Sequence, residues 1–329
     1  MNRLTDNKIV LVTRPTRLAE LVVRFNTVSQ ARFYVEHQGA DFGDYLREDE
    51  TYHHALVATQ SAISDIGLLQ TVDREFLPNF VFARKDIIVT LGQDGLVANT
   101  LKYLDGQPVV GVNPDPERWD GRLLPFKVAD LAKLLPEVLS RKRSTRSVTM
   151  ARATLNNGQT LHGVNDLFIG PKSHCSARYV IRNGGESEAQ SSSGVIVSTG
   201  MGSTGWLKSL LTGATAIAQT AERTLNRPAR EDLFESPSHK VKRRAEIKTE
   251  FAWDADYLFY TVREPFPTRT TGASMVFGRV TPDEPLLLES QMPEHGVIFS
   301  DGIENDFLEF NSGTQATIDI AERKGVLVE

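Results

Sequence analysis

The chain has 329 residues, of which 40% are hydrophobic, 24% charged and 8% aromatic, with a formal net charge of −5. That length suits two domains with real cores, and an acidic balance with few aromatics argues against nucleic acid as a partner. One cysteine, Cys175, excludes an internal disulfide framework, and no apolar run approaches the roughly 20 residues of a membrane span.

The polar stretch from Met1 to Lys8 leads straight into Ile9-Val10-Leu11-Val12. No signal peptide is therefore expected, and a single cysteine fits a reducing cytosol, so the expected location is cytoplasmic. Lys8 to Thr13 reads as a strand, followed after Pro15 by a helical stretch through about Glu36. Asp44 to Ile66 reads as a second helical stretch. Ile87, Ile88, Val89 and Leu91 then form an apolar, β-branched run from Asp86 with the character of a buried strand.

That run breaks into Gly92-Gln93-Asp94-Gly95, and an amphipathic stretch follows from Leu96 to Leu104. Strand, glycine turn and helix in succession aim backbone N–H groups at a phosphate. The spacing is neither the Walker A nor the dinucleotide fingerprint. Asp94 is a candidate general base, with glycines on both sides to admit a substrate; a helix cap is the structural alternative. Pro108 to Val112 is another strand, ending at Asn113-Pro114-Asp115-Pro116, and Val128 to Ser140 repeats Leu and Val at helical spacing. The alternation predicts a doubly wound parallel sheet whose ligand lies at the carboxyl ends of its strands.

The texture changes near Arg143. The expected division is an α/β nucleotide-binding domain over residues 1–145 and a β-rich, mostly antiparallel domain over residues 146–329. Ser147 to Leu155, Val164 to Ile169, Ala177 to Ile181 and Val195 to Ser198 are strand-like. Asn156-Asn157-Gly158 and Asn183-Gly184-Gly185 supply turns. Asn165-Asp166 is a polar pair in an apolar strand, and leaving such groups unsatisfied costs about 1–3 kcal/mol. A ligand would satisfy them, and so would a bulge or turn.

Ser198-Thr199-Gly200-Met201-Gly202-Ser203-Thr204-Gly205-Trp206 joins the strand Val195 to Ser198 to a helical stretch, Trp206 to Leu225. Three glycines and four hydroxyl residues suit phosphate or ribose oxygens, although a plain capped loop has the same composition. Asn226 to Lys248 is polar and charged, which suggests a loop or insertion. Strands resume from Phe251, clearest at Leu286-Leu287-Leu288 and Val297-Ile298-Phe299, with two more expected over Phe307 to Val328. Asp301-Gly302 reads as a turn. Zinc-ligand spacing and a nucleophile elbow are both missing, so no protein metal site is expected.

In this order, Gly92-Gln93-Asp94-Gly95, Gly111-Val112-Asn113, Asn165-Asp166, Ser176-Ala177-Arg178-Tyr179, Gly202-Ser203-Thr204-Gly205-Trp206 and Asp301-Gly302 resemble the motifs of the NAD kinase family. The resemblance spans about Asp86 to the C-terminus. Trp206 and Val262-Arg263-Glu264-Pro265 look closest to the mitochondrial-type branch and its bacterial relatives, and a bacterial cytosolic protein is expected. It implies an active site in a crevice between the two domains, with the last strands returning to the first domain. The implied reaction transfers the γ-phosphoryl of ATP to the 2′-hydroxyl of the adenosine ribose of NAD, giving NADP.

In that scheme Asp94 is the catalytic residue, near Mg²⁺ or another divalent cation. Gly92, Gln93, Gly95 and Asn113 belong to the cofactor-binding set. Asn165 and Asp166 hold the nicotinamide ribose and adenine portion, while Ser203, Thr204 and Trp206 line the adenine and phosphate region. Phosphoryl transfer needs positioning and charge neutralisation, and the ion would be bound largely through phosphates and waters. A homo-oligomer, dimer or tetramer, is expected. Four residues depart from the family pattern: Gln93 replaces a glycine, Leu96 stands for the usual threonine after the motif, Asp166 is shorter than the family glutamate, and Ser193 stands where many bacterial members have an aspartate. The alternatives are a related kinase acting on a sugar or lipid hydroxyl, and a catalytically weak sensor of NAD and ATP.

Overall fold

Ile9, Val10, Leu11 and Val12 are fully buried in β1 (Lys8–Thr13) of the computed structural model, which describes residues 3–225 and 248–329. A continuous apolar run of this kind is what a strand covered on both faces requires. Thr16 caps α1 (Arg17–Phe25) by accepting the Ala19 N–H. Asn26, at φ 65°, ends α1, and Thr27 caps α2 (Val28–His37). The stretch expected as one helix is therefore two, because a left-handed residue followed by a new cap interrupts it.

After α3 (Phe42–Ser64) comes β2 (Leu68–Asp73), a largely exposed strand paired parallel with β1. Leu-Leu-Gln-Thr-Val-Asp does not alternate, so β2 carried no strand signal. β3 (Ile87–Leu91), α4 (Asp94–Leu101), β4 (Pro108–Asn113), the two-residue β5 (Phe126–Lys127), α5 (Leu131–Leu139) and β6 (Thr145–Val148) follow.

Twelve strands in chain order then build two antiparallel six-stranded sheets. They are β7 (Ala151–Leu155), β8 (Thr160–Gly163), β9 (Asp166–Pro171), β10 (Ala177–Asn183), β11 (Glu186–Ser192) and β12 (Val195–Ser198), then, after α6 (Trp206–Leu225), β13 (Leu258–Val262), β14 (Phe277–Val280), β15 (Leu286–Ser290), β16 (Gly296–Ser300), β17 (Ile303–Glu309) and β18 (Gln315–Ile320). One sheet has the order β11-β10-β15-β18-β7-β8 and the other β14-β13-β12-β9-β16-β17. Their inner faces share a core that includes Leu155, Leu167, Ile169, Tyr179, Val197 and Ile318. The expected turns close hairpins: Gly158 has φ 85°, and Gly184 and Gly185 have φ 58° and 85°. β11 escaped notice because Glu-Ser-Glu-Ala-Gln-Ser-Ser is polar throughout. Two of its buried members, Gln190 and Ser192, bond the Tyr179 hydroxyl. The loop expected over Asn226 to Lys248 lies outside the described residues except for Lys248.

Finally β19 (Gly325–Val328) enters the first sheet, parallel to β4 and antiparallel to β6. The segment Phe307 to Val328 thus contributes three strands. The first sheet runs β2-β1-β3-β4-β19-β6, with β5 beside the end of β4. α3 and α5 cover the face that carries Ile9, Leu11, Val89 and Leu91. α4 lies on the other face, where a Cβ on Gly325 would come within 3.0 Å of Leu101 Cδ2. Contacts divide the chain into one unit of residues up to Met150 together with Ala321–Glu329, and a second unit, Ala151–Ile320. The architecture is a doubly wound, predominantly parallel α/β unit and a β-rich antiparallel unit.

Candidate functional site

In the first unit the carboxyl ends of β1, β3 and β4 bring Arg14, Gly92 and Asn113 to one edge of the sheet. Gly92 is closely packed there: a Cβ would lie 2.9 Å from Leu96 Cδ2 and 3.4 Å from Arg14 Cδ. Gln93 occupies the cap position of α4 without a side-chain hydrogen bond, and Asp94 is the first helical residue. Asp94 is therefore not the helix cap. Its carboxylate accepts the N–H groups of Leu123 at 2.8 Å and Arg122 at 3.3 Å, tethering the loop that leaves β4. Gly95 is exposed, with open space where a side chain would stand.

Asn113 organises the same loop from its other end. Its Oδ1 accepts the Asp115 N–H at 3.0 Å, and its Nδ2 donates to the Trp119 carbonyl at 2.8 Å. Gly121, at φ 60°, passes so close that a Cβ would lie 2.7 Å from Asn113 Nδ2. Asp94 and Asn113 thus share one loop.

An ionic network behind this edge was not anticipated. Arg14 donates to Glu48 at 3.0 Å, Arg17 bonds both Glu48 and Asp44, and Arg118 grips Asp44 with two hydrogen bonds of 2.7 and 3.0 Å. Arg118 first, then Arg17, holds the Asp44 carboxyl well below the usual carboxylate range. At Glu48 burial works to raise the pKa, but hydrogen bonds from Arg17 and Arg14 outweigh it and lower the value. Tyr52 completes the group: its hydroxyl accepts the Arg14 N–H and donates to the Leu91 carbonyl, both at 3.1 Å. The four-residue spacing of Asp44, Glu48 and Tyr52 was the available signal, since it places all three on one face of α3.

In the second unit, Asp301 and Gly302 have φ 55° and 71° and join Ser300 to Ile303 in a two-residue turn. This is the Asp-Gly chemistry such a hairpin prefers. The Asp301 carboxylate reaches back to the N–H groups of Val164, at 3.0 and 3.1 Å, and Asn165, at 2.6 Å. On the other side the Thr199 N–H donates to the Asn165 carbonyl at 3.0 Å, and Thr199 Oγ1 donates to the Val164 carbonyl at 2.5 Å. Glycine at 202 follows from this closeness, because a Cβ would sit 2.0 Å from the Asn165 oxygen. The protein itself therefore satisfies the main chain of the Asn165-Asp166 pair.

The side chains are another matter. Asn165 is half-buried, while Asp166 is only 9% exposed. Burial, and next the charge of Asp301, pushes the Asp166 carboxyl up to about 7. Near neutral pH it can both donate and accept a hydrogen bond. Ser203 is buried and donates to the Gly200 carbonyl at 2.6 Å, and Thr204 is half-buried. Trp206 stacks on Phe168 with ring centroids 6.0 Å apart, and the Arg263 guanidinium lies 5.5 Å from its ring. A cavity of about 780 Å³ opens beside them, lined also by Phe299, Lys172 and His174. Among the described residues, no group of three His, Cys, Asp or Glu side chains could hold a metal ion. None of the described helices is long and apolar enough to cross a membrane.

No protein-family model matches the sequence, and no curated protein matches it. Solved structures do. An NAD kinase from Archaeoglobus fulgidus, solved in complex with ATP, is similar over 98% of this chain and 93% of its own, with 15% identity and a TM-score of 0.52. Yeast NADH kinase, solved with NADH, is similar over 98% of this chain and 84% of its own, with 16% identity and a TM-score of 0.53. The chain has the fold of these two kinases.

Proposed function

We propose that this protein is a kinase of NAD or NADH, which transfers the γ-phosphoryl of ATP to the 2′-hydroxyl of the adenosine ribose. The observation that carries the reading is Asp166, a buried carboxyl near neutrality on a main chain clasped by Asp301 and Thr199, in a fold shared with kinases solved with ATP and with NADH. A carboxyl buried without an ion-pair partner marks a place where a ligand's hydroxyls complete the hydrogen bonding.

In this scheme Asp166 and Asn165 hold the dinucleotide, and Ser203, Thr204 and Trp206 border it. Asp94 orients the 2′-hydroxyl and takes its proton as the oxygen attacks the γ-phosphorus; the bond to the β-phosphate oxygen breaks and ADP leaves. Gly92, Gln93, Gly95 and Asn113 shape the donor side. Asp94, the carboxylate at the turn, would face Mg²⁺ carried in with the nucleotide and held largely by phosphates and waters. Bound there, the ion would neutralise phosphate charge. A cytoplasmic location and a dimeric or tetrameric assembly belong to the same proposal, the latter checked by light scattering.

One observation favours a second reading, a weakly catalytic NAD and ATP sensor. Asp94 already accepts two main-chain N–H groups, which draws on the lone pairs a base needs. A coupled assay for NADP and NADPH, run beside calorimetric titrations of NAD, NADH and ATP, separates the two. Product at turnover rates supports the kinase; tight binding without product at high Mg²⁺ supports the sensor.

A further inference from the structure

Arg14 terminates the ionic network at the carboxyl edge of the first unit's sheet. Its side chain is only 7% exposed. Nη2 donates to Glu48 and Nη1 to the Pro15 carbonyl, whereas Nε is buried with no hydrogen-bond partner. Glu48 is shared with Arg17, so one carboxylate serves two guanidinium groups. A buried donor left unpaired is a cost that folded proteins avoid unless the group has other work.

The direction of that donor is informative. Arg14 Nε is 3.5 Å from the point where a Cβ on Gly92 would stand, so it borders the turn that opens into α4. The N-terminus of α4 is itself electropositive. The only carboxylate on the turn, Asp94, is directed to the N–H groups of Leu123 and Arg122. A half-compensated guanidinium and a helix N-terminus therefore meet at Gly92.

We propose that Arg14 is a phosphate-binding residue, which with the Gly92–Gly95 turn receives the polyphosphate tail of the phosphoryl donor. This rests on the kinase reading for the identity of the donor, but not for the anion site itself. A guanidinium suits the task because it offers several donors in a fixed plane. Its anchoring by Glu48 and Tyr52 leaves little freedom to lose on binding.

The test uses the full chain and its Arg14→Gln and Arg14→Lys variants, titrated with Mg-ATP and with inorganic tripolyphosphate. Arg14→Gln is expected to weaken both ligands by about tenfold or more, the scale of one charge-assisted hydrogen bond, with NAD affinity unchanged. Loss of ATP binding alone would place the contact on the nucleoside and overturn the proposal. Unchanged affinity for both ligands in a variant with native circular dichroism would also overturn it. If Arg14→Gln fails to fold, Arg14→Lys decides by the same titration, since it keeps the charge but loses the Nε donor and the planar fork. Wild-type protein that binds tripolyphosphate through Arg14 yet forms neither NADP nor NADPH would retire the kinase reading and leave this site standing. NADP formation with an unaltered KM for ATP in the folded variants would do the reverse.

Discussion

The Asp301 carboxylate accepts the Asn165 N–H at 2.6 Å across 136 residues of sequence. A turn at the end of one strand thus sets the main chain at the start of another, and Asp166 takes its place from that clasp. Asp301→Ala should release the N–H groups of Val164 and Asn165, costing about 1–3 kcal/mol of stability. Thermal melts would show this, and NAD affinity should fall with it. Asp301→Asn keeps one acceptor oxygen and should lie between.

Asp166 makes the protein's stability depend on pH in a definite direction. Its folded value of about 7 is raised from the ordinary 3.8, so the native state binds more protons than the unfolded chain between the two. Its contribution is full below about 3.8 and is lost as pH rises through about 7. Melting curves from pH 4 to 8 should show this decline in the wild type and a shallower one in Asp166→Asn.

Asp94 tethers a loop and, in the proposed kinase, serves as the base; a conservative variant separates the two. Asn at this position keeps a carbonyl oxygen for the Leu123 N–H, so Asp94→Asn should fold with little loss of stability. As a general base, Asp94 should be worth about 10²–10⁴-fold in rate, with NAD affinity nearly unchanged. Unchanged turnover would reduce it to a tether for the loop after β4.

Glu48 carries the opposite expectation. Removing it leaves Arg14 without its carboxylate partner, and breaking a buried pair costs about 3–5 kcal/mol. Glu48→Ala should therefore lower the denaturant midpoint strongly, while Arg47→Ala, at an exposed pair with Asp41, should move it by less than about 1 kcal/mol.

What could be read along the chain follows from how each element is buried. β1, β3, β4 and β12 are buried almost throughout, so their residues are mostly apolar. β2 lies exposed at an edge, β5 is two residues long and β11 is polar, and none of the three needs an apolar pattern. The glycine turns were legible too, because a positive φ or a close approach leaves few residues to choose from.

The side chains that matter at the sites divide in the same way. Gly92 to Gly95 and Gly202 to Trp206 are contiguous motifs, and local chain geometry is enough to single them out. The pairing of Arg14 with Glu48, of Asp94 with Leu123 and of Asp301 with Asn165 spans 34, 29 and 136 residues. No local preference encodes such partners. By itself the sequence determined the buried strands, the glycine turns and which residue types were available for phosphate and ribose. Only the tertiary structure decided which charges are paired, which carboxyl is buried near neutrality and which guanidinium keeps a donor unspent, because desolvation and pairing depend on neighbours that the packed chain brings together.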